Sequence, residues 1–373
     1  MKASNTRYTV VGYAVALAVI MYIQRVAIGQ AAPEIRADLG LDQAQMGQIL
    51  GAFAISYALF EIPGGLLGDK IGPRRMLSQI VVGWSIFTAL TGAAWNYASL
   101  WVIRFLFGAG EAGCFPNLTK MLSVWLPKGE RVRAQALMWA STRWGGAITP
   151  LLAVTIISFV GWRWAFVIFG LLGVLWVASF LPWFKDDPAQ HKGVNAEELK
   201  LLEGARAIAH SKSGGGWKVL FTPQVLVLIG QYFFFSFVWY FYVTWLPSWL
   251  REAHALPREV AAMYAFVPLF FGGVGSLTSG FLPIGVNRRV VAFCAMTATA
   301  ILLFCVTRAS SPIVAIALLG AASFTADLCM PISWNACVEI GRRSTATVAG
   351  AMNMLGNLSG FVAPVLGGYI LKG

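Results

Sequence analysis

Ionisable side chains inside apolar segments are the first feature of this sequence that could do chemistry. Arg104 and Glu111 belong to the stretch RFLFGAGEAGCFP at 104–116, within a long apolar segment. Seven helical residues advance nearly two turns, which places both side chains on one face about 10 Å apart along the axis. A charge at bilayer depth costs several kcal/mol unless it faces a partner or a water-filled cavity. The stretch therefore holds either a structural Arg–Glu pair or a binding and proton-handling face of a central cavity.

Three more charged residues lie within apolar segments and leave alternatives open. Arg143 could neutralise Glu111 or Glu61, or bind a carboxylate of a ligand. Glu61 could take up a proton or simply hydrogen-bond a helix end. Asp327 has no evident partner in the sequence and is either structural or cavity-lining.

Polar and aromatic residues of the second half could complete such a cavity. Asn353 and Asn357 are four residues apart, on one face of a helix, and could hydrogen-bond hydroxyl groups. Trp334 and Tyr240 could stack on a ring of a ligand, or could serve packing alone.

The composition places the chain in a membrane. Of its residues, 58% are hydrophobic and 12% charged, about half the charge of a soluble protein. Apolar runs of helix length recur along the whole chain, which predicts an all-α integral membrane protein with several spans. No catalytic constellation, cofactor motif or metal-ligand spacing is evident, so we expect neither an enzyme nor a cofactor. Because the basic residues form no patch, we expect no nucleic-acid partner either.

Eleven spans are predicted, divided six and five by a polar interruption. Residues 1–183 form an N-terminal six-helix bundle, 184–220 a cytoplasmic linker, and 221–373 a C-terminal bundle. In the linker, Asn195 followed by Glu198 predicts a capped amphipathic helix, and 213–216 a flexible segment. The spans are 8–29, 46–67, 76–95, 98–120, 131–155, 162–183, 221–247, 259–282, 289–307, 312–338 and 345–370.

Lys and Arg concentrate in alternate loops, which predicts a cytoplasmic N-terminus by the positive-inside rule. With an odd number of spans, the C-terminus is then expected on the outer side. We expect a monomer embedded in the lipid bilayer.

The two halves repeat at an offset of about 214 residues. Gly146 and Pro150 match Gly360 and Pro364, and Arg143 matches Asn357. Cys114-Phe115-Pro116 matches Cys329-Met330-Pro331. The repeat predicts two halves related by an axis along the membrane normal, with a substrate site between them. By the same offset, a twelfth helix would fall at about 376–397 and is missing from this chain.

The loop after the second span contains glycines that allow a tight turn and an acid that could latch onto a helix N-terminus or onto arginines. Its residues of interest are Gly65, Asp69, Gly72, Arg74 and Arg75. The loop resembles the GxLxDRxGxRR signature of the major facilitator superfamily, with Lys70 in place of the usual Arg. Its second-half counterpart at 280–289 keeps the arginines but has no acid.

Further stretches resemble the anion:cation symporter family within that superfamily. They are 104–117, 125–131, 161–170, 245–250 and 349–368. The resemblance implies a major facilitator fold and a carrier of the bacterial inner membrane, which moves sugar acids or other carboxylates with protons or another cation.

The family's Tyr-x-Asp-Arg pattern reads Tyr22-Ile23-Gln24-Arg25 here. The resemblance implies that Arg25 binds the anion with Tyr22 beside it, and that Tyr57 lines the cavity. Gln24 stands where the family has an aspartate, and it cannot titrate. Glu61 lies where members often have Gln.

Together these features predict secondary active import of an organic anion with a proton, by alternating access. Arg25, with Arg143, would hold the anion, and Glu111 would carry the proton. The alternatives are a facilitator or exchanger without coupling, and a non-transporting membrane sensor derived from this fold.

Overall fold

The fold consists of long helices. The computed structural model describes residues 2–209, 216–244, 246, 249–250, 256–283 and 286–370. The helices of the first half are α1 (Thr6–Leu39), α2 (Gln43–Ile71), α3 (Pro73–Thr91), α4 (Tyr97–Glu111), α5 (Cys114–Trp125) and α6 (Arg131–Trp183). Those that follow are α7 (Ala196–Ala209), α8 (Pro223–Thr244), α9 (Arg258–Gly280), α10 (Arg288–Val306), α11 (Pro312–Gly341) and α12 (Thr345–Ile370).

Hydrophobicity explains why these segments are helices that cross a membrane. Seven stretches of the described chain are long and apolar enough to span a bilayer. Two of them, of 53 and 49 residues, are long enough to cross twice, because 30 Å of hydrocarbon takes about 20 residues. The described residues are helical through almost all of every predicted span, which confirms an all-α membrane fold.

The boundaries differ from the predicted ones where glycines redirect the chain. The predicted loop between 155 and 162 is reduced to Gly161, whose φ of 75° breaks α6. The predicted single span 98–120 is instead two helices, α4 and α5, which meet at Gly113 with a φ of 80°. A Cβ on Gly113 would lie 2.9 Å from the Cα of Gly64, so the break lets α2 approach closely. This close approach, which depends on another helix, is why the sequence pattern did not reveal the break.

The linker helix α7 is fastened to the chain's N-terminal segment. The predicted N-cap is confirmed, since the Asn195 side chain accepts a 2.9 Å hydrogen bond from the Glu198 amide. The Glu198 carboxylate does not complete a capping box. It is fully buried, accepts a 2.6 Å bond from Ser4 and pairs with Arg7 at 3.1 Å. The predicted flexible segment lies outside the described residues, apart from Gly216.

Two groups of helices, one from each half, pack against each other. We call the end of the molecule at which residues 184–209 and 216–220 lie the linker side. There, α2 meets α12 so closely that a Cβ on Gly65 would overlap the Ala346 carbonyl. The start of α6 meets the end of α9, where a Cβ on Gly280 would lie 2.6 Å from Ala136. These contacts close the linker-side end of the space between the halves.

Candidate functional site

A polar cavity lies between the two halves. All six residues predicted to bind substrate line it, namely Tyr22, Arg25, Tyr57, Arg143, Asn353 and Asn357. Of the remaining lining residues, the sequence interpretation proposed only Tyr240 as a ligand contact. They are Phe115, Trp139, Tyr232, Phe235, Ser236, Trp239, Tyr240 and Met330. The cavity thus combines two cationic side chains with amide, phenol and indole groups.

Arg25 is held in the cavity by an internal carboxylate. Its Nε donates a 2.8 Å hydrogen bond to Glu111, and a second guanidinium nitrogen contacts the same oxygen. The ring of Tyr57 lies 4.6 Å from the guanidinium carbon and that of Phe53 5.2 Å. The Arg25 side chain keeps 20% of its surface exposed, whereas that of Glu111 is fully buried. A ligand can therefore reach Arg25 directly and Glu111 only through Arg25.

Arg104 and Glu111 do not form the ion pair that the sequence left open. The Arg104 guanidinium instead lies 4.2 Å from the Phe107 ring centroid and 5.4 Å from that of Phe53. Its Nε and one terminal nitrogen have no hydrogen-bond partner among the described residues. Arg104 is buried and lies outside the cavity lining, and its positive charge interacts electrostatically with Glu111.

Arg143 pairs with Asp327, at 2.7 Å, and not with Glu111 or Glu61. The partners are 184 residues apart and belong to α6 and α11, in different halves of the chain. The Arg143 guanidinium also stacks on Trp239, 3.4 Å from the ring centroid. This pairing gives Asp327 the partner that the sequence did not show.

Glu61 takes part in a contact across the halves. The Asn353 amide donates to Glu61 at 2.6 Å and to the Tyr57 hydroxyl at 3.2 Å. Glu61 is fully buried and is not among the lining residues. It is linked to the cavity through Asn353 and Tyr57, which do line it. Asn357, one turn further along α12, accepts a 2.8 Å bond from Tyr240.

Gln24 and Trp334 serve packing. Gln24 is fully buried and donates its amide to the Phe169 carbonyl on α6, away from the cavity. Trp334 is also fully buried and donates to Tyr232 at 3.1 Å. Of the two aromatic residues proposed to stack on a ligand, only Tyr240 lines the cavity.

Matched positions of the sequence repeat occupy matched places around the cavity. Phe115 and Met330 both line it, as do Arg143 and Asn357. A Cβ on Gly146 would lie 3.0 Å from the Tyr22 ring, and its counterpart Gly360 packs on the ring of Tyr240 in the same way. The repeat is therefore a structural one at these positions.

The predicted loop at 65–75 is, in the structure, the end of α2, Gly72 and the start of α3, and it joins the halves on the linker side. Asp69 accepts hydrogen bonds from the Thr347 amide at 2.8 Å and its hydroxyl at 2.7 Å, at the N-terminus of α12. Lys120 lies 3.2 Å from the same carboxylate. Arg74 donates to the Leu181 carbonyl within its own half. Of the remaining loop residues, Gly72 has a φ of 86° at the start of α3 and Arg75 is exposed.

We expect Asp69→Asn to open the linker side. The substitution removes a negative charge from a helix N-terminus and from Lys120, which lowers the stability of the closed arrangement. Loss of charge-assisted hydrogen bonds of this kind should shift the closed-to-open ratio by about tenfold. The distance between spin labels at positions 128 and 289, exposed in opposite halves, measures that shift.

Asp186→Asn is the matched control. Its carboxylate accepts a 2.8 Å bond from the Arg74 amide at the start of α3, within one half. Burial raises the pKa of Asp186 above its usual value. The label distance should stay at its wild-type value in this variant. Equal distances in both variants would show that Asp69 does not hold the halves together.

A membrane fold of long helices with a polar cavity between two halves is typical of transport proteins. The chain matches the Major Facilitator Superfamily over residues 14–364 and belongs to that family. It is therefore a multi-pass membrane transporter of a bacterial family and not an enzyme.

The names of individual relatives also describe transporters. The chain is 32% identical to the "Probable sulfoacetate transporter SauU" of Cupriavidus necator, covering 99% of this chain and 88% of the relative. It is 28% identical to the "Hexuronate transporter" of Bacillus subtilis, covering 95% and 85%. The proton:xylose symporter XylE superposes with a TM-score of 0.75 at 14% identity, covering 96% of this chain and 88% of that one. At that identity the last match shows the fold alone.

Proposed function

We propose that this protein imports an organic anion, a sugar acid or another carboxylate, together with a proton, by alternating access. The observation that carries the proposal is Arg25, a partly exposed guanidinium in a cavity between the halves. A planar guanidinium binds a carboxylate through two parallel hydrogen bonds. Names of the relatives, which refer to sulfoacetate and hexuronate, support the same class of ligand.

The pairing of Arg25 with Glu111 supports proton coupling. The ligand's carboxylate and the Glu111 carboxylate compete for one guanidinium, because both accept from the same nitrogens. A proton on Glu111 removes its charge and so releases Arg25 to the ligand. When the ligand leaves on the other side, Arg25 pairs with Glu111 again and favours loss of the proton. Arg104, buried nearby, adds positive charge that favours this deprotonation.

The closed end of the cavity identifies the conformational state. With the N-terminus and linker in the cytoplasm, the contacts of Asp69 with α12 close the cytoplasmic end. Closure at that end corresponds to the outward-facing state of the proposed alternating-access cycle. The inward-facing state then requires Asp69, Glu61 and Asn353 to exchange their partners across the halves.

Gln24 supports the second candidate, exchange of anions without proton coupling. The family's aspartate is absent here, and Gln24 is buried against α6. Under this alternative, Glu111 would be a fixed counterion for Arg25 and would not release a proton.

Transport by the purified protein in liposomes separates the two candidates. Liposomes preloaded with D-gluconate, D-glucuronate or sulfoacetate are mixed with the labelled anion. We expect counterflow of at least one of them, and accumulation when the outside is made acidic. Counterflow without accumulation would favour the exchanger. Liposomes without protein are the control, and absence of counterflow with every anion would contradict transport of this class.

A further inference from the structure

We propose that Arg143 is a second anion-binding group and that the substrate is a dianion, with one acid group on Arg25 and the other on Arg143. The inference rests on the proposed function, since it names the class of anion that the same cavity takes.

Both guanidinium groups line the one cavity, from different helices. Arg25 comes from α1 and pairs with Glu111 of α4, whereas Arg143 comes from α6 and pairs with Asp327 of α11. Each arginine thus has one internal carboxylate, and each can exchange that carboxylate for an acid group of a ligand. A monoanion can make this exchange at one arginine, and a dianion at both.

Arg143 has donor capacity that Asp327 does not use. The ion pair uses one terminal nitrogen, and Nε has no hydrogen-bond partner among the described residues. Trp139, one helical turn earlier, also lines the cavity, and its buried indole nitrogen has no partner within the described part of the chain. Arg143 is only 6% exposed, so an unfilled donor at this position is costly. An oxyanion at this wall of the cavity would fill both donors.

The surroundings of Arg143 favour an ionised ligand group over a neutral one. Its guanidinium stacks on Trp239, which fixes the plane of the donors. If Asp327 moved away and no other anion took its place, the buried Arg143 guanidinium would remain unpaired, which is energetically costly. A ligand acid group keeps the guanidinium neutralised, whereas a hydroxyl does not. The cavity should therefore prefer a ligand with a negative charge at each end.

The cavity lining also suits hydroxyl groups. Tyr22, Tyr57, Asn353 and Asn357 supply phenol and amide groups to the same cavity as the two arginines. D-Gluconate and D-glucarate are therefore a matched pair of probes, because they differ only in a CH₂OH or a carboxylate at carbon 6. Their relative affinity measures the contribution of the second charge.

The experiment measures how each unlabelled probe inhibits counterflow of labelled D-gluconate in liposomes. For the wild type, we expect half-inhibition by D-glucarate at a concentration about tenfold to a hundredfold lower than by D-gluconate. Arg143→Gln should bring that ratio to about one. Asp327→Asn removes the competing charge while keeping an acceptor for Arg143, so it should increase the ratio above that of the wild type.

Arg163→Gln is the control for breaking an ion pair on the same helix. Arg163 pairs with Asp38 at 2.9 Å, at an exposed site outside the cavity. The ratio should not change in this variant. If Arg143→Gln prevents folding, Arg143→Lys replaces it, and the ratio should fall because Lys keeps the charge but loses Nε and the stacked plane.

Other outcomes separate this inference from the proposed function. If the Arg143–Asp327 pair only joins the halves, Arg143→Gln and Asp327→Asn will shift inhibition by both probes in the same direction, which overturns the inference. Equal inhibition by the two probes in the wild type overturns it as well, while gluconate counterflow leaves the proposed function standing. Absence of counterflow with D-gluconate, D-glucarate and sulfoacetate alike overturns both.

Discussion

Replacing Arg25 by alanine should strongly weaken binding of the transported anion. Arg25 is the cavity cation whose guanidinium is partly exposed, at 20% of its side-chain surface. Loss of one partner of a buried, hydrogen-bonded charge pair costs about 2–5 kcal/mol, which corresponds to a loss of affinity of roughly thirtyfold to several thousandfold. Inhibition of counterflow by the unlabelled anion measures this loss of affinity.

Stability must be separated from binding in this variant. Arg25→Ala leaves the fully buried Glu111 carboxylate without its guanidinium partner, which should lower the melting temperature of the purified protein. The double variant Arg25→Ala/Glu111→Gln removes the unpaired charge and should recover part of that loss. It should not recover binding. Near-normal affinity in either variant would show that Arg25 does not bind the anion.

The conservative change Arg25→Lys tests the geometry. Lysine keeps the charge but has no planar fork for two parallel hydrogen bonds. We therefore expect weak but measurable binding, between the wild type and Arg25→Ala.

Glu111→Gln should abolish accumulation against a gradient while exchange continues. Glutamine has nearly the same shape and keeps an acceptor for Arg25, but it cannot carry a proton. Under an imposed pH gradient, uptake should stop at equal concentrations inside and outside. Counterflow should persist and lose its dependence on pH, because no carboxylate then competes with the anion for Arg25.

Glu61→Gln is the matched comparison for that result. Glu61 is also fully buried, but it accepts from Asn353 and lies outside the cavity lining. Accumulation should survive in this variant. If Glu61→Gln abolishes accumulation and Glu111→Gln does not, the coupling acid is on α2 instead.

Local properties of the sequence were sufficient to predict much of the fold and part of the site. Hydrophobic length sets where helices cross a bilayer, so each predicted span lies largely within described helices, although α1 continues to Leu39, beyond the predicted end at 29. Tyr22, Arg25 and Tyr57 were predicted from a resemblance and do line the cavity. The offset of the repeat also matched Arg143 with Asn357, which line the cavity together.

The tertiary structure alone decided which charges pair. Glu111 contacts Arg25, 86 residues earlier, and not Arg104 on its own helix. Arg143 contacts Asp327 in the other half of the chain, and the break at Gly113 depends on close contact with Gly64. Periodicity along one helix shows which residues share a face. Which residue of another helix meets that face depends on how the helices cross, and small residues such as Gly65 and Gly280 set that crossing through contacts between distant parts of the chain.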